Sequence, residues 1–496
     1  MKKSLALLGS FFSVALVSLA FGVGTTGNVT KKDGASNQVQ KKVVRRPRKA
    51  VSQSVASNKV ASSKVARVAS AGDGSYHIFT AKDGSVSAIP LVTLGSIDSL
   101  SSKGTESYSD GGNLLINAPD INSAEALLQQ VAVARKKHDV GAGTQIIPSL
   151  VVSGAVEGKA EFHFPSEGDS ANSFDFSSAA LALFASEGRY LHGQLKVQYD
   201  GGQTPEDSSR AVDGSRIYLD TGSLIVGDLD RFPVYAQIGQ IIVPFGDYSS
   251  GMIDDPMTVM GKIKARAMLV GIHTVSPDGR FVFAGRAFAY NNPTKVDGDN
   301  SVINSFGVSM AVSASNPQAN FSGTLSGGIV RDLASANLFQ STGYGSGGLS
   351  YIVNKTLSNH VAGADIALKL GMKKTNLSLE YILALDNFSK DDFSFNGSGA
   401  KPSAFNIALS QGLMLGKHPL TASVGYSKSS EAVGLNLPEQ KIGITLAAVL
   451  QNNLVATAGF DHICNYSTSE TGNAGWYDTS KPATDNVLTA KLTLHF

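Results

Sequence analysis

The residues of this sequence that could act chemically are charged side chains grouped around one short stretch. Two carboxylates, Asp254 and Asp255, are followed by the cations Lys262, Lys264 and Arg266. Such a group can attract an anionic solute and replace the water around it without forming a covalent bond. The pattern predicts contact with a charged solute if the loop folds inward as a constriction. An exposed surface loop is the alternative interpretation.

Further charged residues occupy alternate positions of strand-like stretches, so they share one face. If that face lines an aqueous interior, these residues belong to the solute path. Pairing with opposite charges across neighbouring strands is the simpler interpretation of each one. The path candidates added by this argument are Lys196, Arg216, Arg286 and Lys369.

The elements that must position these side chains are most visible in the last stretch of the chain. From Leu488 to Phe496, apolar residues alternate with Thr, Lys and His. A strand with this alternation is apolar on one face and polar on the other, as lipid outside and water inside an outer-membrane barrel require. Bacterial barrels commonly end on such a strand with a terminal Phe, which predicts that the barrel-assembly machinery recognises the strand ending at Phe496.

Connections of two lengths separate the other strand-like stretches, and long and short ones alternate from residue 148 to the end. Counting the strands between them gives about sixteen, an even number, with all long connections running from odd to even strands. A soluble sandwich has no reason to sort its connections in this way. The sequence predicts an all-β fold: a transmembrane antiparallel β-barrel over residues 148–496. The long connections are predicted at 165–172, 201–214, 246–263, 291–303, 331–359, 387–402, 428–437 and 466–484.

Three segments precede the predicted barrel. Residues 1–20 have a basic start, an apolar middle and a small-residue exit, as in a signal peptide. Residues 21–72 are rich in Ser, Ala and basic residues, which predicts a disordered linker. Residues 73–147 predict a small module with one short helix after Asp120, placed either in the periplasm or at the barrel mouth. We therefore expect a Gram-negative outer-membrane protein with its N-terminal extension in the periplasm.

Two windows carry a family resemblance. Val243-Pro244-Phe245-Gly246-Asp247-Tyr248 with Ile253-Asp254-Asp255-Pro256-Met257-Thr258, and Leu114-Leu115-Ile116-Asn117-Ala118-Pro119 ahead of the short helix, resemble the LbtU-type siderophore porins. The resemblance implies that the barrel takes part in the uptake of a ferric siderophore. This chain departs from the family at Lys262 and Lys264, where the resemblance leads us to expect an acidic residue.

Catalysis finds little support in the residues. The nine His lack a metal-ligand spacing, and the chain has no HExxH motif and a single cysteine. We expect no cofactor, no metal and no enzyme. An outer-membrane lipase would need a Ser beside a His on the outer face, and His462 has no identifiable Ser partner.

The function predicted from the sequence is therefore a porin-like transporter for a small polar solute. A general or sugar-selective diffusion porin and a plugged structural or adhesive barrel are the alternatives. The formal charge of +2 gives no reason to expect a nucleic-acid partner. The oligomeric state is left open, a homo-oligomer included.

Overall fold

A computed structural model describes residues 75–80, 86–91, 124–125, 127–128, 149–200, 216–277, 279–291, 296, 303–316, 319–340, 357–416, 418–451, 454–472 and 483–495. The predicted signal peptide and basic linker lie outside the described residues, as do most of the module at 73–147 and Phe496. The described part of that module contains an antiparallel pair, β1 (Ser75–Thr80) with β2 (Val86–Leu91), and helical backbone at 124–125 and 127–128.

Sixteen antiparallel strands of the described chain close into a barrel. Neighbours in sequence are neighbours in the ring, and the last strand pairs with the first, so that Leu494 lies opposite Val156. This confirms the predicted all-β transmembrane barrel. The strands are β3 (Ser149–Pro165), β4 (Ala171–Glu187), β5 (Leu191–Asp200), β6 (Arg216–Gly227), β7 (Val234–Ile242), β8 (Lys264–Val275), β9 (Phe281–Tyr290), β10 (Ser305–Asn316), β11 (Phe321–Val330), β12 (Gly363–Met372), β13 (Thr375–Ala384), β16 (Ser403–Leu415), β17 (His418–Ser430), β18 (Gln440–Gln451), β19 (Leu454–Cys464) and β20 (Thr484–His495).

Shorter elements lie in the connections. They are a hairpin, β14 (Ser394–Phe395) with β15 (Ser398–Gly399), the 3-10 helices Met257–Gly261, Leu333–Ser335 and Val433–Leu435, and the short α-helix α1 (Asn337–Gln340). Among the described residues, no helix is both long and apolar enough to cross a membrane.

The strands alternate between an apolar outer face and a polar or small inner face. In β20, Leu488 and Leu492 are 44% and 49% exposed on the outside, whereas Thr489 and Thr493 are 1% and 2% exposed on the inside. A row of large apolar side chains on the outer surface of a closed barrel is the arrangement that lipid stabilises. The period of two read from the sequence is thus the period of the barrel wall.

The connections also sort as predicted. The long ones join odd- to even-numbered strands and lie at one end of the barrel, here called the long-loop end; tight turns lie at the opposite, short-turn end. In bacterial barrels the long connections are extracellular and the tight turns periplasmic. The connection predicted as long at 165–172 is instead short, because β3 and β4 extend to Pro165 and from Ala171.

The sheet is irregular between β5, β6 and β7. The register of β5 and β6 shifts between Lys196 and Val197, where Asp220 of β6 is an extra residue, and this is a β-bulge. Gly239 on β7 has φ +148, and a Cβ there would meet the Gly222 carbonyl oxygen at 2.2 Å. Only glycine fits this position.

Side chains from several long connections pack together at the long-loop end. Phe339 of α1 lies with its ring centroid 5.5 Å from those of Phe388 and Phe393, which belong to the connection between β13 and β16. All three side chains are buried. Burial of this apolar surface stabilises a compact arrangement of the loops over the barrel.

Candidate functional site

The connection between β7 and β8, residues 243–263, folds into the barrel and is here called the inner loop. Its side chains Val243, Phe245, Ile253 and Met260 are fully buried. The loop touches β12, β13 and β16 to β20, and β18 lies on the far side of the ring from β7 and β8. The inner loop therefore crosses the lumen. Of the two interpretations open from the sequence, the structure has the inward one.

One carboxylate on the barrel wall fixes the start of the inner loop. Glu380 of β13 accepts hydrogen bonds from the backbone N–H of Asp247 at 2.5 Å and of Tyr248 at 3.0 Å. The Thr258 hydroxyl donates to Glu380 Oε2 at 2.5 Å. Glu380 is buried, so these donors satisfy oxygens that water does not reach. This carboxylate holds two parts of the loop together against the wall.

Lysines on the part of the wall far from β7 and β8 fix the middle of the loop. Lys491 of β20 donates to the Ile253 carbonyl oxygen at 2.8 Å and lies 3.8 Å from the Asp254 carboxylate. Lys441 of β18 donates to the Asp255 carbonyl oxygen at 3.0 Å. Burial raises the pKa of Asp254, but the charges of Lys441 and Lys491 outweigh that effect and hold it below its ordinary value. Asp254 is therefore an ionised anchor of the loop.

A slot of three inward-facing glycines receives the tip of the loop. A Cβ at Gly425 would meet Met252 Cγ at 2.4 Å, and one at Gly443 would meet Met252 Cε at 2.9 Å. A Cβ at Gly459 would meet Ile253 Cγ2 at 2.6 Å. These positions on β17, β18 and β19 form the glycine slot, and any larger residue there would compete with the loop for the same space.

A cavity of about 100 Å³ remains between the inner loop and strands β11, β12, β13 and β16. Its lining is mostly small and polar, with one cation; it includes Ser249, Ser250, Thr324, Lys369, Asn376 and Ser410. Lys369 also lies 3.0 Å from the Asp247 carboxylate at the start of the inner loop. Hydroxyl, amide and ammonium groups of this kind can replace water around a polar solute.

The predicted cations do not all meet in one place. Lys196 and Lys264 both pair with the buried carboxylate Asp220, Lys196 at 2.9 Å. Lys262 is half-buried and close enough to influence the charge of Lys196. Arg266 alternates in phase with Met268 and Val270, which are exposed on the outer face. Arg266 was expected to line the ligand path, but the alternation of β8 places it on the outer face of the barrel.

The remaining candidates are also separated. Arg286 faces inward and binds Glu125 of the N-terminal module. Asp254 and Asp255 belong to the inner loop, where Asp255 contributes its carbonyl oxygen rather than a side chain to the contact with Lys441. The side chain of Arg216 lies outside the described residues.

The glycine slot, Lys491 and Glu125 were not predicted from the sequence. A signal existed for the slot, because glycine in the interior of a strand often marks the close approach of another backbone. No sequence pattern marked Glu125, because the barrel residue that binds it, Arg286, is far away in the sequence.

The enzyme alternative can be compared with the geometry. His462 hydrogen-bonds Asn486 at 2.8 Å. A Ser–His contact exists elsewhere, with Ser186 Oγ 2.8 Å from His192 Nδ1, but both side chains are buried inside the barrel. Within the described residues, no group of three His, Cys, Asp or Glu side chains is placed to hold a metal ion.

Comparison with known proteins gives distant relatives. No protein-family model matches the chain. It is 27% identical over 396 residues to a UPF0422 protein of Coxiella burnetii, covering 78% of this chain and 81% of that protein. It is 28% identical over 376 residues to a UPF0422 protein of Legionella pneumophila strain Lens, covering 73% and 68%. Its homologues are thus UPF0422 proteins, and the resemblance to LbtU-type siderophore porins stays a prediction.

Solved structures similar to this chain include porins and an outer-membrane channel. An anion-selective porin from Comamonas acidovorans has a TM-score of 0.45 at 12% identity, covering 71% of this chain and all of that one. Pseudomonas putida OprB has a TM-score of 0.44 at 11% identity, covering 74% and 97%. The outer-membrane channel DcaP of Acinetobacter baumannii has a TM-score of 0.43 at 12% identity, covering 72% and 99%. With TM-scores below 0.5, these likenesses carry no argument about function.

Proposed function

We propose that the protein is an outer-membrane channel that passes a small polar solute, and that this solute is a ferric siderophore. The observation that carries the channel proposal is the closed barrel itself, apolar outside and lined inside by charged groups, with the inner loop held across the lumen. Closed barrels with an even number of strands are typical of single-chain bacterial outer-membrane proteins. Passage through such a lumen needs no covalent chemistry, so we propose no catalytic residues.

The siderophore part of the proposal is supported by two features. The windows that resemble siderophore porins, residues 243–248 and 253–258, are the parts of the inner loop that contact Glu380, Lys441 and Lys491. Near the long-loop end, Lys196 and Lys264 share the single carboxylate Asp220, with Lys262 close by. This excess of positive charge favours an anionic solute.

An uptake assay tests the siderophore proposal. Cells lacking the protein should take up labelled ferric chelates more slowly, and a Lys262→Ser/Lys264→Ser variant should restore less uptake than the wild type. Lys401→Ser/Lys428→Ser, which removes two exposed lysines elsewhere, is the matched control and should restore uptake fully. If the deletion strain took up chelates normally but showed altered uptake of sugars or amino acids, the siderophore assignment would be wrong. The channel would then be one for a general polar solute.

A plugged structural barrel is the second candidate, and the filling of the lumen by the inner loop and by residues 124–125 and 127–128 favours it. Conductance in planar bilayers separates the two functions. A channel predicts ion current from folded, detergent-purified protein, whereas a permanently plugged barrel predicts none. Fractionation of the cell envelope, with protease access from the periplasmic side, tests the proposed outer-membrane location and periplasmic N-terminal extension.

A further inference from the structure

The carboxylate of Glu125 connects the N-terminal module to the barrel wall. Glu125 Oε2 accepts a hydrogen bond from Arg286 Nη2 at 2.7 Å, and its Oε1 accepts from Arg286 Nε at 3.0 Å. The Tyr235 hydroxyl donates to Oε1 at 2.7 Å, and His273 Nδ1 lies 3.7 Å from Oε2. Tyr235, His273 and Arg286 are inward-facing residues of β7, β8 and β9. The carboxylate of Glu125 is thus bound inside the barrel.

The apolar neighbours of Glu125 are docked beside it. Ala124, Leu127 and Leu128 are buried. Leu128 lies against Gly227 at the short-turn end of β6, so closely that a Cβ on Gly227 would meet Leu128 Cδ1 at 3.3 Å. These helical residues occupy lumen space on the wall opposite the glycine slot. Together with the inner loop they narrow the passage from both sides.

The three wall residues have the chemistry of a carboxylate receptor. A planar guanidinium donates two parallel N–H bonds to a carboxylate, and a phenol O–H adds a third donor. Arg286 Nη1 is also buried, and no partner is found for it among the described residues. This spare donor would suit a ligand with more acceptor oxygens than one glutamate side chain has.

We infer that Tyr235, His273 and Arg286 form a carboxylate-binding site whose resident ligand is Glu125, and that a carboxylate-bearing solute competes for this site and releases the helical residues from the wall. Removal of Glu125 alone leaves a buried, uncompensated guanidinium charge, which keeps the helix docked when no ligand is present. When a solute carboxylate replaces that of Glu125, the guanidinium charge of Arg286 stays paired. Binding of the solute therefore allows the helical residues to leave the wall. The inference deepens the proposed channel function and rests on it.

Binding of citrate to the full-length protein in detergent tests the site directly. Glu125→Ala vacates the receptor, so calorimetry should show citrate binding roughly 10- to 100-fold tighter than in the wild type, the range expected when a charged hydrogen-bonded competitor is lost. Arg286→Met should abolish the binding. Glu161→Gln alters a lumen carboxylate paired with Lys159 instead, and is the matched control with wild-type affinity expected. Equal citrate affinity in the wild type and in Glu125→Ala would overturn the inference.

Conductance separates this inference from the proposed function. In planar bilayers, citrate should raise the open fraction of the wild type, glucose should not, and Glu125→Ala should be open without citrate. Glu125 lies outside the barrel strands, so the barrel of this variant should fold, and its heat-modifiable gel mobility checks that. Current that is present but identical in wild type and Glu125→Ala refutes the inference and leaves the channel standing. Absence of current from every variant refutes the channel, whereas the calorimetric result still decides the binding site.

Discussion

Replacement of Gly425 by alanine should expel the tip of the inner loop from its slot and widen the channel. The added Cβ would lie 2.4 Å from Met252 Cγ and 2.8 Å from its Sδ, whereas ordinary contacts begin at 3.4 Å. Met252 is 1% exposed, so its side chain has no solvent-filled space to move into. A shift of this side chain therefore displaces its buried neighbours or the loop backbone.

The size of the effect follows from this overlap. Overpacking a buried site by one methyl group costs about 1–3 kcal/mol. A difference of that size changes an equilibrium between two positions of the loop by about 5- to 150-fold. Single-channel recordings of Gly425→Ala should thus show a higher conductance or a larger open fraction than the wild type.

A control and a rescue make this prediction strict. Gly158 lies in strand β3, where the nearest atom to an added Cβ is the Asp175 carbonyl oxygen at 3.9 Å, so Gly158→Ala should behave as the wild type. Met252→Ala removes the two atoms that clash at Gly425. The stability loss of the double variant should be smaller than the sum of the two single losses, because the sites are in contact. Wild-type conductance of a folded Gly425→Ala, or strict additivity, would show that the loop does not depend on the slot.

Three further predictions concern the wall, the loop anchor and the N-terminal contact. Glu380→Gln leaves part of its buried donor set unpaired and should lower the unfolding free energy by about 1–3 kcal/mol in urea titrations followed by gel mobility. Gly239→Ala should prevent stable barrel formation in refolding assays, whereas Gly193→Ala, with 3.8 Å to its nearest neighbour, should refold normally. Burial raises the pKa of Glu125, but its hydrogen bonds and ionic partners lower the pKa by more than burial raises it. The pKa therefore lies below its ordinary value of 4.5. The stabilisation of the docked helical residues by the Glu125 carboxylate is therefore complete above pH 4.5 and is lost as the pH falls through the lowered pKa. Acidification should open the wild-type channel and leave Glu125→Ala unchanged in conductance recordings.

The barrel wall could be predicted because its pattern is local. Alternation in stretches such as Leu488 to Leu494 depends only on which face of a strand meets lipid, and each strand shows it independently of the others. The inward position of Lys369 followed from the same alternation. Arg266 shows where this reasoning fails. Its place in a charged cluster suggested a position in the ligand path, but the alternation of β8 sets the direction of its side chain and places it on the outer face.

The sequence by itself thus determined a β-barrel, its number of strands and the end at which its long connections lie. Only the tertiary structure decided what fills it. Lys491 and the carbonyl of Ile253 are 238 positions apart, and Arg286 and Glu125 are 161 apart, yet each pair is in hydrogen-bond contact. Such contacts exist because ring closure brings β20 and β3 together and sets β18 opposite the inner loop. The path of the loop depends on that closure, on three glycines that leave room for it and on buried charges that must each find a partner.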